Sequence, residues 1–311
     1  MSSFIDFITF KDTSTLYVVM GVALIGITSA VIGCFTFLRK RALVGDAVAH
    51  SVLPGVCLAF LLFNTKNLWV LLGGAFLSGW LSLLVVDFVT ARSRIKADTA
   101  VALTLSVFFG IGILLLTTIQ QSGNAAVAGL DHFLLGKAAA IVKDDVLIFV
   151  IVALLMAGTV ALLFKEFKLV AFDVNFARTV GIPVRAVEVL LSTLTVMAVA
   201  VGIQSVGVVL MAALLITPAV AARYWTDRLT IMIVLASCFA VLAGVAGAYV
   251  SYSESKMPLG PWIIVAASLI AGASMLFAPE KGAVARLLLR RANRRKILHE
   301  NILKLLYHIG E

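Results

Sequence analysis

Residues 187–222 read VEVLLSTLTVMAVAVGIQSVGVVLMAALLITPAVAA, an almost unbroken apolar run. A membrane helix needs about 20 such residues to cross about 30 Å of hydrocarbon, so the run is too long for one pass. Dividing it at Gln204-Ser205 gives two short helices, one of which either spans or re-enters. That division decides between eight and nine crossings, and with it the side on which the two ends of the chain lie.

Working outward, apolar windows of spanning length recur at 16–38, 43–63, 68–90, 99–119, 146–164, 230–250 and 261–278. Of 311 residues, 62% are hydrophobic and 13% charged, against about 45–50% apolar in soluble domains. The expected fold is an all-α polytopic membrane protein of eight to nine transmembrane helices, broken or re-entrant near 187–222.

Lysine and arginine flanking short loops set orientation. With the N-terminus outside, the C-terminus inside and nine crossings, only Lys11, Lys66, Lys137, Lys143 and Lys256 of the 25 basic residues lie outside. Eight crossings would put either Arg39-Lys40-Arg41 or the basic tail on the wrong side. The net charge of +9 therefore reads as topology and attraction to anionic membrane lipid, with no call for nucleic acid. Tyr17, Trp69, Tyr249, Tyr252 and Trp262 fall at outer ends and Tyr224-Trp225 at an inner end, as amphipathic rings prefer. Cys34, Cys57 and Cys238 have no paired spacing and read as packing residues. The first 15 residues lack a basic region ahead of the apolar run, so the first span serves as its own anchor.

Ionisable groups are expensive inside a membrane, about 2.5–3.5 kcal/mol each on insertion scales, and mark function by default. Gly45-Asp46-Ala47-Val48-Ala49-His50-Ser51-Val52-Leu53-Pro54-Gly55 carries two, spaced i and i+4 on one helix face. Pro54 has no N–H to offer the carbonyl of His50, which frees that oxygen and breaks or bends the helix nearby. Pro218 has the same potential in its own span. Carboxylate, imidazole and carbonyl together suit a hard or borderline divalent ion such as manganese, iron or zinc. A structural reading stands beside this one: Asp46 favoured by the helix dipole in a first turn, His50 hydrogen-bonded to a neighbour. Asp87 and Glu188 lie near Arg92 and Arg185, where pairing explains them. Asp131-His132 reads as a solvated outer loop, and His299 and His308 as solvent-facing. Gly136-Lys137 is not a phosphate-binding loop, so any ATP hydrolysis belongs to another subunit.

Two segments face water. In the loop 165–186, Asp173 caps a short helix whose apolar side carries Phe176, Ala177 and Val180, ended by Gly181 and Pro183. It either rests on headgroups or docks a cytoplasmic partner. The segment 281–311 is a basic tail with helical spacing at Ile297, Ile302, Leu305, Leu306 and Ile309, apart from the membrane domain of residues 1–280.

The segment 45–55, then Phe172-Asp173 with Ala177 and Gly181, then Val206-Gly207-Val208-Val209-Leu210-Met211-Ala212-Ala213-Leu214-Leu215-Ile216-Thr217-Pro218-Ala219 resemble the permeases of bacterial ABC importers for manganese, zinc and iron. The resemblance covers about residues 15–280. It implies a transmembrane permease subunit, not an enzyme, in the bacterial cytoplasmic membrane. Asp46 and His50 match the metal-coordinating positions, and Phe172, Asp173, Ala177 and Gly181 the element that couples to the ATPase. Implied partners are cytoplasmic ABC ATPase subunits, an extracytoplasmic metal-binding protein and a second permease subunit, identical or not. No permanently bound cofactor is implied; the divalent ion is cargo. The first motif looks closer to manganese and iron permeases than to zinc ones, while Leu259 departs from the family's usual small hydroxyl residue. The tail from about Arg294 is similar to the opening of a winged-helix metal-dependent regulator, of which no complete module fits before Glu311. The rival expectation is a secondary, proton-coupled metal transporter or channel, with Asp46 and His50 relaying protons.

Overall fold

A computed structural model describes residues 13–65, 67–121, 141–253, 258–279 and 281–287, with Gly136, Leu289, Ile297 and Tyr307 besides. Among them there is no strand. The helices are α1 Thr13–Leu38, α2 Val44–Phe63, α3 Leu68–Arg92, α4 Ala97–Gln121, α5 Lys143–Leu162, α6 Phe164–Phe172, α7 Val174–Thr179, α8 Val184–Val206, α9 Val208–Trp225, α10 Leu229–Ser253 and α11 Leu259–Phe277. Nine of the described helices, all but α6 and α7, are long and apolar enough to cross a membrane. Most of the tail, together with Asp131, His132, His299 and His308, lies outside the described residues.

The long apolar run divides at Gly207, not at Gln204-Ser205. Gln204 and Ser205 continue α8, because a polar side chain alone does not interrupt a helix. Gly207 has φ 84° and ψ 165°, a backbone conformation open to glycine and strained for other residues. The resulting α8 has 23 residues and α9 has 18, so both are of spanning length. Pro54 and Pro218 do not interrupt their helices; each sits inside a continuous one.

Close packing comes from glycines where helices cross. A Cβ on Gly55 would lie 2.1 Å from the carbonyl oxygen of Gly74, and one on Gly74 would lie 2.4 Å from that of Gly55. α2 and α3 therefore touch backbone to backbone. Nearby, the Ser78 hydroxyl donates to the Ser51 carbonyl at 2.6 Å. On the other side of α2, Leu53 fills the space beside Gly112 of α4. α1 makes a similar approach to α9, where a Cβ on Gly33 would sit 1.8 Å from the Leu215 carbonyl oxygen. Gly45 is buried in the first turn of α2 against Leu215.

The turn between α1 and α2 is held by ions. Arg39 pairs with Glu188 of α8, and Arg41 donates to Asp87 of α3 at 3.0 Å. These replace the expected partners Arg185 and Arg92, because the short turn swings both arginines across the ends of α3 and α8. Below it, Phe35 of α1 packs on Phe164 and Phe167, with ring centroids 6.4 and 5.6 Å away. Asp227, in the α9–α10 turn, pairs with Arg223 and with Lys281 at the head of the tail. The Lys281 hydrogen bond, aided by the Arg223 charge, holds the Asp227 carboxyl below the usual carboxylate range. Cys34 and Cys57 are buried as packing residues, whereas Cys238 is exposed on α10.

Gly55→Val should push α2 off α3 and lower the melting temperature of the purified protein, overpacking of this kind costing about 1–3 kcal/mol. Gly73→Ala, one residue from the crossing and with nothing within 4 Å of the added carbon, should melt as the wild type does.

Candidate metal centre

α2 begins without a side-chain cap at Leu43 and places Asp46 in its first turn. There the unpaired amide N–H groups and the positive end of the helix dipole favour a carboxylate. One turn on, His50 Nε2 lies 3.6 Å from Asp46 Oδ1. Two metal bonds of about 2.1 Å bridge that gap at an angle of about 110–120°, close to tetrahedral. The pair can thus hold one ion without rearrangement of the helix.

Most of α2 is buried, but this face is not: the side chains of His50 and Asp46 are 27% and 42% exposed. An ion can therefore reach them. The imidazole is oriented by Phe109 of α4, edge to face, at 4.9 Å between centroids and 81° between planes. Its other nitrogen, Nδ1, is buried with no hydrogen-bond partner among the described residues, as is the Ser51 hydroxyl. Metal-bound histidines commonly donate that second N–H to an acceptor. Here the ring is positioned by packing instead, with Nε2 the nitrogen turned toward the carboxylate. The His50 carbonyl has no helical partner, because Pro54 lacks an N–H.

Among the described residues no group of three or more His, Cys, Asp or Glu side chains could hold a metal. One copy of the chain thus supplies two side-chain donors, fewer than the four to six that divalent transition metals take.

Away from this pair, the loop 165–186 folds as two short helices. α6 is anchored by Phe167, Val170 and Ala171, which are buried. Asp173 caps α7, its Oδ1 accepting from the Asn175 and Phe176 amides at 2.9 and 3.0 Å. Gly181 ends the turn with φ 87°, and the Ile182 amide returns to the Ala177 carbonyl at 3.0 Å. Ala177 is fully buried, whereas Phe172 and Phe176 are each 53% and Val180 58% exposed. The apolar side expected to carry Phe176, Ala177 and Val180 together is split: alanine faces the protein, and the larger residues face out. Phe172, Asp173, Ala177 and Gly181 form one surface element, separate from Asp46 and His50.

Sequence reasoning missed Phe109, since nothing in a run of apolar residues singles out the one that will touch a histidine. It also missed α6, whose spacing of Phe164, Phe167 and Ala171 at i, i+3 and i+7 is a legible buried stripe. At the start of α11, Leu259 is buried and borders a small recess with Ser14, Thr15, Ser251 and Tyr252.

Residues 11–278 match the ABC 3 transport family. The chain is 44% identical over 297 residues to the manganese transport system membrane protein MntC of Bacillus subtilis (strain 168), covering 96% of this chain and 68% of that protein. To the zinc transport system membrane protein TroC of Treponema pallidum (strain Nichols) it is 42% identical over 282 residues, covering 91% and 95% respectively. Its fold matches a chain of the structure described as PsaBC from Streptococcus pneumoniae in complex with Fab, with a TM-score of 0.78 and 31% identity, over 89% of this chain and 97% of that one.

Removing the ring that positions the imidazole, in Phe109→Ala, should weaken divalent-ion binding by about 2- to 10-fold, the range expected from an aromatic pair contributing about 0.5–1.5 kcal/mol. Manganese titration followed by calorimetry on the purified assembly would measure it.

Proposed function

This chain belongs to the ABC 3 transport family, and on that premise we propose that Asp46 and His50 are the side chains that hold the transported ion. The protein is the transmembrane permease subunit of an ATP-driven metal importer, a multi-pass protein of the bacterial cytoplasmic membrane. It is not itself the ATPase: hydrolysis belongs to a separate subunit, and a solute-binding protein delivers the cargo in an importer of this kind.

The observation that carries the site assignment is the 3.6 Å approach of Nε2 to Oδ1 on the open face of a helix that is otherwise buried. Oxygen and nitrogen donors without thiolate suit manganese and also admit zinc. Manganese and zinc are both named among the relatives, and iron is not; we take manganese as the preferred cargo. With two side-chain donors per copy, a second permease subunit across an axis completes four. A site assembled from two moving halves holds an ion when they meet and frees it when they part. No cofactor stays bound, and the metal is substrate throughout.

Phe172, Phe176 and Val180 offer the apolar surface that an ATPase subunit would grip. Asp173 and Gly181 fix the shape of that surface, and buried Ala177 seats it on the protein. Closure of the ATPase pair would move α6 and α7, and through Phe167 and Phe35 the inner end of α1. Alternating access then follows from rocking of the helices about the glycine crossings. The tail, 281–311, is read as a cytoplasmic contact segment whose head is tied down by Lys281 and Asp227.

Asp46→Asn and His50→Ala should each lower manganese uptake into cells by more than about 100-fold, exceeding the 10- to 100-fold typical of losing a mere supporting group around a metal. Both variants should still reach the membrane and co-purify with the ATPase; normal uptake by the pair of variants would remove these residues from the site. Phe176→Asp should show the opposite pattern, with ion binding retained and co-purification of the ATPase lost.

A further inference from the structure

Between α3 and α8, at the end of the bundle where Arg39 and Arg41 lie, opens a cleft of about 1000 Å³. On α3, Leu84, Phe88 and Arg92 line it at successive turns of one face. On α8, Arg185 and Val189 line it one turn apart, and Arg178 reaches it from the last turn of α7. The arginines lie at the end of α3 and around the start of α8, and Leu84, Phe88 and Val189 lie a turn or more further into these helices. From Arg92 to Leu84 is about 12 Å along the helix axis. Leu84, Phe88 and Val189 are 41%, 62% and 42% exposed, and they lie within membrane-spanning helices, where the surrounding medium is hydrocarbon.

The charge of the cleft is not balanced from within. Asp87 and Glu188 also border it, but each is engaged by an arginine from the α1–α2 turn. Arg92, Arg178 and Arg185 have no carboxylate partner among the described residues. Arg92 lies over the Phe88 ring, 5.6 Å from its centroid, which holds the guanidinium at the boundary between the apolar wall and the arginine end. Planar guanidinium groups match phosphate oxygens in bidentate geometry. A phosphate at the arginine end with alkyl chains running along the wall has the shape and polarity of one class of molecule present around every such protein.

We propose that this cleft is a binding site for an anionic phospholipid of the cytoplasmic leaflet, its headgroup phosphate held by Arg92, Arg178 and Arg185 and its acyl chains lying along Leu84, Phe88 and Val189. A soluble phosphate would use the arginine end and leave the apolar wall bare. A lipid uses both. Because Arg178 belongs to α7, the bound headgroup ties the ATPase-facing helix to the ends of α3 and α8.

Native mass spectrometry of the detergent-solubilised, assembled importer, titrated with phosphatidylglycerol or phosphatidylcholine, tests this. The wild type should retain phosphatidylglycerol in preference to phosphatidylcholine. Arg92→Gln combined with Arg185→Gln should weaken phosphatidylglycerol retention by at least about tenfold, since basic residues near the headgroup layer each contribute to anionic-lipid affinity. Arg94→Gln, at an exposed arginine outside the cleft, should leave it unchanged, and equal melting temperatures of the variants would separate lost binding from lost folding. The proposal is overturned by any of four results: equal retention of the two lipids, wild-type retention by the double variant, full displacement by glycerol 3-phosphate, or lipid retention that appears only once the ATPase subunit has been stripped from the importer. The third result would make the arginine end a free phosphate site, and the fourth a seat for the ATPase.

Discussion

Where Gly55 of α2 crosses Gly74 of α3, the carbonyl of each stands where the side chain of the other would have to be. This approach, continued by the Ser78 hydroxyl on the Ser51 carbonyl, fixes the height and rotation of α2 relative to its neighbours. Rotation is what matters for the site. A helix buried on all sides would have to surround Asp46 and His50 with apolar atoms, at a cost of several kcal/mol for the carboxylate. Locking α2 by its backbone at mid-helix leaves the face that carries Asp46 and His50 partly open.

The second constraint is electrostatic and acts in the turn just before α2. Arg39 and Arg41 stand two residues apart in one turn, and they engage Glu188 and Asp87 on different helices. The turn therefore clamps the ends of α1, α3 and α8 together, directly before the helix that carries Asp46 and His50. The pairing also removes two carboxylates from competition for a cation. The acid left unengaged by arginine on this stretch is Asp46, whose neighbour is the imidazole of His50.

Much of the architecture was legible because a bilayer imposes one length scale on every span. The windows 43–63 and 68–90 differ from α2 and α3 by at most two residues at either end. The run 187–222 was harder, since hydrophobicity reports that a segment is in the membrane and not where its backbone turns. The break required attention to conformation: Gly207 can take φ 84° and Ser205 cannot readily do so. That Asp46 and His50 share one helix face was legible from helical periodicity, and the cost of ionisable groups in a membrane singled them out. Their exposure, the angle of the imidazole to Phe109 and the orphaned Nδ1 depend on how α4 lies against α2, and no local pattern encodes that. The partners of Asp87 and Glu188 were misassigned for a related reason: proximity in sequence favoured Arg92 and Arg185, whereas a turn from a different helix arrives with better geometry.

If Asp46 and His50 hold the cargo as proposed, the number of donors bears on the life of the subunit before it meets its partners. Two side chains in one copy are too few to strip a divalent ion of its water. On that assignment an unassembled copy would neither sequester scarce metal nor offer it a path across the membrane, and quality control would lie in the stoichiometry itself: a competent pore would come into being only with the complete assembly.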